Sequence, residues 1–591
     1  MIKMRYENFL WIFVIIFTIH LGIGKELASA TLEAQVLSTK SLKKLAEIVE
    51  GFIKNDYIVG AELLVIKKRN VLLHEVFGWR DKEENLLMEK NTIFNIRSMT
   101  KPLVGAACQV LIDQGKLRLS DRVSQYLVGF SNNKSASITI EQLLTHRSGL
   151  PQTIIGTSGS FQDHYDLMSL ANTVGENGPK FKPGSKFSYS DAGTEVLGAV
   201  IEMVSGVSLD TFVKKHLLKP LGMKDTFFLT QRNHKSNKRI ASLYGGVIKA
   251  WKRFWKPGDK VLYPFVMASQ SLYSTPLDYA RFLTMIMDKG LFSGRQILSS
   301  NSIKRILTPV SRMTSLGSDS PTTTGFPEYV VHYGHMMTLY ILNSKEKKIA
   351  DIIGHAGSDG TWAWAWPAHD LVILYFTQSR GQATGIRLET EIDRLLIRAE
   401  GDQPSYVVPA DIKPYIGTYK HKTGQANSPL YKVLFYNDNL AIDVPGQMIF
   451  ELNRPDKKGA WAFKIANTVS ITFKKDDSNQ VKEMTISELV KLPQKSRINA
   501  VDKAPKEIHP YLGSYPLPMH NQELVVQYQE NNLALKDPSG KIILLSGPKN
   551  GIWTVPKDGS QIFFTKNTAG QMVLNLITNN FFLKVNDHEK K

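Results

Sequence analysis

One cysteine, Cys108, in 591 residues excludes any internal disulfide. A chain of this length without cross-links must be held by its cores, with room for about three or four domain-sized units. Cys108 lies in an apolar stretch and reads as a small buried hydrophobe. Long apolar runs are scarce as well. The exception is "FLWIFVIIFTIHLGIG", which follows Lys3 and Arg5 and precedes "ASA" at Ala28 to Ala30. That order reads as an export signal over residues 1–30, cut after Ala30, so a periplasmic or secreted protein is expected. An uncut membrane tether is the alternative. No cysteine follows the run, which argues against a lipidated N-terminus, and no second run is long enough to cross a bilayer. Acidic residues are also in short supply: 54 against 73 Lys and Arg, a formal charge of +19. The excess favours anionic surroundings such as lipid headgroups, cell-wall polymers or anionic substrates; plain solubility is the competing reading. No nucleic-acid-binding motif is present, and no nucleic-acid partner is expected.

What is present divides the chain in two. Up to about residue 400, helical periodicity mixes with strand-like runs without a strict βαβ alternation, which predicts an α+β unit over 31–400. "AELLVIKK" and "VLLHEVFGW" read as a hairpin around Arg69-Asn70, and "TWAWAWPAHDLVILYFTQ" as a strand pair turning at Pro367 to Asp370. Trp362, Trp364 and Trp366 fall on one strand face and Ala363 and Ala365 on the other, as core packing requires. "GDQPSYVVPADIKP" then marks a linker, 401–414. Beyond it five motifs recur in order at offsets falling from about 96 to 91 residues. "KPYIGTYK" answers "HPYLGSYP", "YNDNLAI" answers "YQENNLAL", and Trp461 and Phe473 answer Trp553 and Phe564. A duplicated unit of short strands predicts two small antiparallel β-barrel domains, 415–500 and 501–588.

The chemistry-bearing stretch is "TIFNIRSMTKPLVGAACQVLIDQGKL". Ser-x-x-Lys alone is a weak signal, since Ser41/Lys44, Ser131/Lys134 and Ser344/Lys347 share it. Only Ser98 stands before a long apolar helix, where free N–H groups and the helix dipole favour a developing anion. Residues three apart share a helix face, so Lys101 can reach the Ser98 hydroxyl. A serine is a poor nucleophile until its proton is taken. A desolvated lysine, its pKa lowered by up to about 3–5 units, can take it, so a dry, neutral Lys101 is expected.

Around this pair, "QVLIDQGKLRLSDRVSQYL", "ITIEQLLTHRSGLP", "FKPGSKFSYSDAGTEVLGAVIEMVSGVSLDTFVKKHLLKPLGM" and "STPLDYARFL" resemble the serine β-lactamase and penicillin-binding-protein-like hydrolases, on the class C, esterase and D-aminopeptidase side. The resemblance covers roughly Leu42 to Ala399. It implies a β-lactamase/transpeptidase-like catalytic domain: an antiparallel sheet flanked by helices, plus a helical subdomain. It also implies Ser98 as nucleophile, Lys101 as its partner and Tyr189 of Tyr189-Ser190-Asp191 as base or proton relay. His355 would stand beside Tyr189 in His355-Ala356-Gly357, the counterpart of the family's Lys-Thr-Gly strand. Gly357 and Ser358 would line the substrate, and the backbone N–H groups of Ser98 and Ser358 would form the oxyanion hole. Tyr273-Ser274 and His332-Tyr333-Gly334 are the competing matches, and His146 reads as structural. No cofactor and no metal are implied. The duplicated tail resembles the lipocalin-like tails of some relatives.

Three departures shape the functional reading. Asp191 stands where the β-lactamase family has an asparagine; a carboxylate only accepts hydrogen bonds, so a substrate with an N–H or ammonium group is expected near it. Gln270 and Ser271 replace small glycines and would reshape the pocket. The lysine of Lys-Thr-Gly is missing, and no class A-type deacylating glutamate can be assigned. The expected activity is that of an exported serine hydrolase working through an acyl-enzyme on a D-amino-acid peptide, a cell-wall stem peptide or a small ester. A β-lactamase, or an inactive penicillin-binding-like protein holding cell-wall fragments, are the alternatives.

Overall fold

The computed structural model of the chain describes residues 28–29, 39–152, 163–247, 250–314, 325–326, 328–343, 349–380, 384–397, 408–422, 430–436, 439–445, 449–464, 466–498, 504–517, 523–556, 559–567 and 570–585. The expected export segment, apart from Ala28–Ser29, lies outside these residues, as do Ser344/Lys347 and the first half of the expected linker.

The first unit is built on an antiparallel sheet. Strands β1 (Gly60–Lys67) and β2 (Asn70–Asp81) form the expected hairpin; its two-residue loop, Lys68-Arg69, has both φ angles positive, at 49° and 67°, the twist that suits a tight hairpin. From β1 the order runs through β7 (Leu371–Thr377), β6 (Trp362–Trp366), β5 (Ile352–Ala356), β4 (Thr338–Leu342) and β3 (Tyr329–Tyr333). The chain's first strands thus pair with its last in this unit, Leu371 opposite Lys67 through Thr377 opposite Ala61.

Both faces of the sheet are covered, and the period-two alternation of each strand sorts its side chains between them. Leu63, Val65, Ile373, Tyr375 and the three tryptophans of β6 face helix α1 (Thr39–Lys54) and helix α5 (Thr384–Ile392). Leu64, Ile66, Ala363, Ala365, Leu374 and Phe376 face the larger core around helix α2 (Thr100–Asp113). The tryptophan stripe is core, as the alternation predicts. Every residue of α2 from Thr100 to Leu111 is buried, Cys108 included. Helices α3 (Asp191–Ser205) and α4 (Pro276–Met287) pack in the same cluster.

The C-terminal region is antiparallel throughout, and its two copies repeat each other in detail. The Tyr419 hydroxyl donates to the Tyr415 carbonyl and the Tyr515 hydroxyl to the Tyr511 carbonyl, each at 2.7 Å. Tyr415 packs on Trp461 and Phe473, and Tyr511 on Trp553 and Phe564. The copies also exchange strands. Strands β9 (Val481–Pro493) and β11 (Met572–Lys584) pair along their length, Glu483 opposite Leu583 through Pro493 opposite Val573. The end of β11 pairs with β8 (Gly417–His421) of the first copy, and Ser496–Arg497, just beyond β9, pairs with β10 (Gly513–Pro516) of the second. Each core holds a side chain from the other copy: Phe582 in the first, Leu492 in the second. Arg387 on α5 makes two hydrogen bonds, 2.9 and 3.1 Å, to Asp443 of the first copy.

Candidate active site

Ser98 lies in a single helical turn, Arg97–Met99, between strand Phe94–Asn95 and α2. Pro102 falls in the first turn of α2, where its missing N–H costs least. Ser98 keeps partial exposure while Lys101 beneath it is fully buried. The other Ser-x-x-Lys pairs within the described residues, Ser546/Lys549 among them, end in exposed lysines: Lys44, Lys134 and Lys549.

An ammonium has three hydrogens, and Lys101 has an acceptor for each. Nζ is 3.2 Å from Ser98 Oγ, 2.7 Å from Asp191 Oδ1 and 3.1 Å from the Ser269 carbonyl. Asp191 is the first residue of α3, whose N-terminus is capped by Ser190 Oγ accepting from the Gly193 N–H. One turn further on, Glu195 accepts from the Ala268 and Ser269 N–H groups at 2.6 and 3.0 Å. It thereby fixes the carbonyl that receives Lys101; burial pushes its carboxyl up to about 7. Tyr189 precedes the cap. Its ring centroid is 4.8 Å from Lys101 Nζ; burial raises its phenol, and the Lys101 charge partly offsets that.

The expectation of a neutral lysine is corrected here. Burial, the largest single influence, pulls the Lys101 pKa down, but the Asp191 carboxylate and Tyr189 beside it together outweigh that and hold the amine above its ordinary range. The lysine is dry and charged. The Asp191 side chain is 27% exposed, with Oδ1 hydrogen-bonded to Lys101.

His355 sits at the end of β5, with its ring centroid 6.3 Å from that of Tyr189. Its hydrogen bonds go elsewhere. Nδ1 is 2.7 Å from the Ala356 carbonyl, which only accepts, so Nδ1 carries the proton; Nε2 then accepts from the Tyr333 hydroxyl at 3.0 Å. Burial and the Lys101 charge push the imidazole down to about 3. The His355 ring is therefore neutral and bonded to Tyr333 rather than to the Tyr189 hydroxyl. His146 Nδ1 accepts from the Ser190 N–H at 3.3 Å, and its ring lies 4.4 Å from that of Tyr189. Tyr273 pairs with Asn95 on the neighbouring strand. Ser271 is buried, its hydroxyl closing the turn from Met267.

Gly357 is placed by close approach. A Cβ there would lie 2.5 Å from the Ile96 carbonyl and 2.6 Å from Thr361 Oγ1. The loop from Gly357 to Thr361, closed by two backbone hydrogen bonds, therefore packs directly against the segment leading to Ser98. Ser358, on this loop, accepts from Arg380 at 2.8 Å through its hydroxyl. Asp359 turns inward and pairs with Arg97 at 2.6 Å, both side chains buried. Arg97 has a φ of +48°, uncommon for a residue with a side chain; its N–H bonds to Asn95 Oδ1 and its guanidinium also to the Tyr263 hydroxyl. Sequence reasoning missed Arg97, Asp359, Tyr333 and Glu195. Only Tyr333 had a signal, in the His332-Tyr333-Gly334 match.

The family model described as Beta-lactamase matches residues 45–396. Protein flp of Staphylococcus aureus strain MW2 is 32% identical over 203 residues, 34% of this chain and 41% of that protein, so the match spans less than half of that relative. Protein Rv1367c of Mycobacterium tuberculosis H37Rv is 27% identical over 358 residues, 54% of this chain and 85% of that protein. Among solved structures, the octameric penicillin-binding protein homologue from Pyrococcus abyssi aligns over 85% of this chain and 99% of its own, at TM-score 0.52 and 20% identity. EstCE1, described as a hydrolase with promiscuous acyltransferase activity, aligns over 60% of this chain and 98% of its own, at TM-score 0.51 and 19% identity. At such identities these two establish the fold alone.

Proposed function

We propose that this chain, which belongs to the beta-lactamase family, is an exported serine hydrolase that forms an acyl-enzyme at Ser98, on ester carbonyls first and on D-amino-acid or cell-wall peptide amides second. The carrying observation is the 3.2 Å contact between Ser98 Oγ and a fully buried Lys101, with the Tyr189 ring centroid 4.8 Å from the same nitrogen. Ser98 attacks the carbonyl carbon, its proton leaves by way of Lys101, and the backbone N–H groups of Ser98 and Ser358 receive the oxyanion. Losing one such donor typically costs about 100- to 1000-fold. Tyr189 passes a proton to the leaving group, and water then releases the acid.

Two features favour esters. Asp191 is tied to Lys101, so no side-chain amide stands at that position to donate to a peptide substrate. His355 is neutral, so β5 offers no cation where the family's lysine would meet a carboxylate; this also argues against β-lactams. The reading needs no cofactor. The test is parallel turnover of p-nitrophenyl acetate, D-alanyl p-nitroanilide and nitrocefin, with Ser98→Ala as control. Ester turnover abolished in the control is expected. Turnover that survives Ser98→Ala overturns the assignment, and faster nitrocefin hydrolysis overturns the ranking.

A further inference from the structure

We propose that Asp191 is the terminal acceptor of the Ser98 proton, reached through Lys101. The proposal rests on the hydrolase reading above and says how its first proton moves. All three Lys101 hydrogens are placed: on Ser98 Oγ, on Asp191 Oδ1 and on the Ser269 carbonyl. An ammonium so bonded has no lone pair for a fourth proton. It takes one only by giving one up, and of its three acceptors only the carboxylate can hold it. The amide carbonyl cannot, and the serine oxygen is the source.

The step balances. An Nζ hydrogen first moves to Asp191 Oδ1; the amine so formed turns its lone pair to Ser98 and takes the hydroxyl proton as Oγ bonds to the carbonyl carbon. The lysine begins and ends as an ammonium, the carboxylate becomes a carboxylic acid, and the carbonyl electron pair becomes the oxyanion. On collapse the bond to the leaving oxygen breaks, and the proton returns from Asp191 through Lys101 and Tyr189 to that oxygen. No oxidant or other partner is needed. Glu195 keeps the relay in register by anchoring Ser269, and the packing around it supplies no competing base. Tyr189, Tyr333, His146, His355 and Glu195 pack around it, but the hydrogen bonds of Nζ go to Ser98, Asp191 and the Ser269 carbonyl, and Glu195 already accepts two backbone N–H groups. An asparagine at 191 could accept a hydrogen bond from Lys101 but could not take its proton. The lysine would then have to act as a free amine, its pKa lowered by burial.

The test is the pH dependence of the p-nitrophenyl acetate burst for the full chain and for Asp191→Asn, each checked for folding by circular dichroism. The wild-type rate stays level through neutrality. The Asn variant loses about 100-fold at pH 6, as when a general base is removed, and recovers to within about threefold at pH 9.5. Superimposable profiles overturn the proposal. Asp191→Ala with added formate is the second arm, since the side chain it removes is 27% exposed: rescue by formate but not by chloride supports the relay, and no rescue overturns it. A wild-type protein that no activated ester acylates at any pH overturns the hydrolase reading itself, a different outcome from acylation with an unchanged profile.

Discussion

Arg97 and Asp359, far apart in sequence, form a buried ion pair with Nε 2.6 Å from Oδ2. Each stands next to one proposed oxyanion donor: Arg97 before Ser98, Asp359 after Ser358. The pair ties together the two loops that carry these donors, at a residue whose backbone is left-handed. Asp359→Asn is therefore expected to lower kcat by about 10- to 100-fold, part of what losing a donor costs, with little change in KM. Steady-state kinetics on p-nitrophenyl acetate check this. Asp359→Ala, which leaves a buried guanidinium uncompensated, should cost about 3–5 kcal/mol in urea unfolding.

His335 is pushed down by burial to about 4, as His355 is to about 3. Both stay neutral in the folded protein where the unfolded chain would protonate them, near 6.5. Below that pH the unfolded state binds the extra protons, so their contribution to stability is complete above pH 6.5 and falls as pH drops toward 4. His335 lies outside the site, on Gln109. The difference in Tm between pH 8 and pH 5 should therefore shrink in His335→Gln, and an equal pH slope would contradict this.

Trp364 and Trp362 point to the same core, but only Trp364 donates its indole N–H, to Glu389 at 2.8 Å; the Trp362 N–H has no partner among the described residues. Trp364→Phe leaves a buried carboxyl oxygen unsatisfied and should cost about 1–3 kcal/mol more than Trp362→Phe. Denaturant unfolding of the two variants gives the comparison directly.

Exchange of β9 and β11 makes each C-terminal copy depend on the other. A fragment spanning 408–585 is expected to unfold in one cooperative transition followed by circular dichroism. A fragment ending at 498 lacks Phe582 and the β11 edge and should not fold. A folded 408–498 fragment would show that the exchange is dispensable.

Much of this was legible in the sequence because it is local. Ser98 and Lys101 are three residues apart on one helix, the tryptophan stripe follows from strand alternation, and the duplication follows from recurring Tyr, Trp and Phe positions. What was missed needs the third dimension. The Lys101 charge depends on Asp191, ninety residues on, so desolvation considered alone suggested a neutral amine. The hydrogen bond that occupies His355 comes from Tyr333, two strands away. A repeat shows that two copies share a pattern, not that their last strands cross between them.

Intact-mass spectrometry during turnover of an activated ester is the most direct measurement of the central claim. The account predicts that wild-type protein gains one acyl group, that the modified peptide carries it on Ser98, and that Ser98→Ala gains none. An acyl group on any other residue, or turnover without an adduct that a fluorophosphonate fails to block, would contradict it.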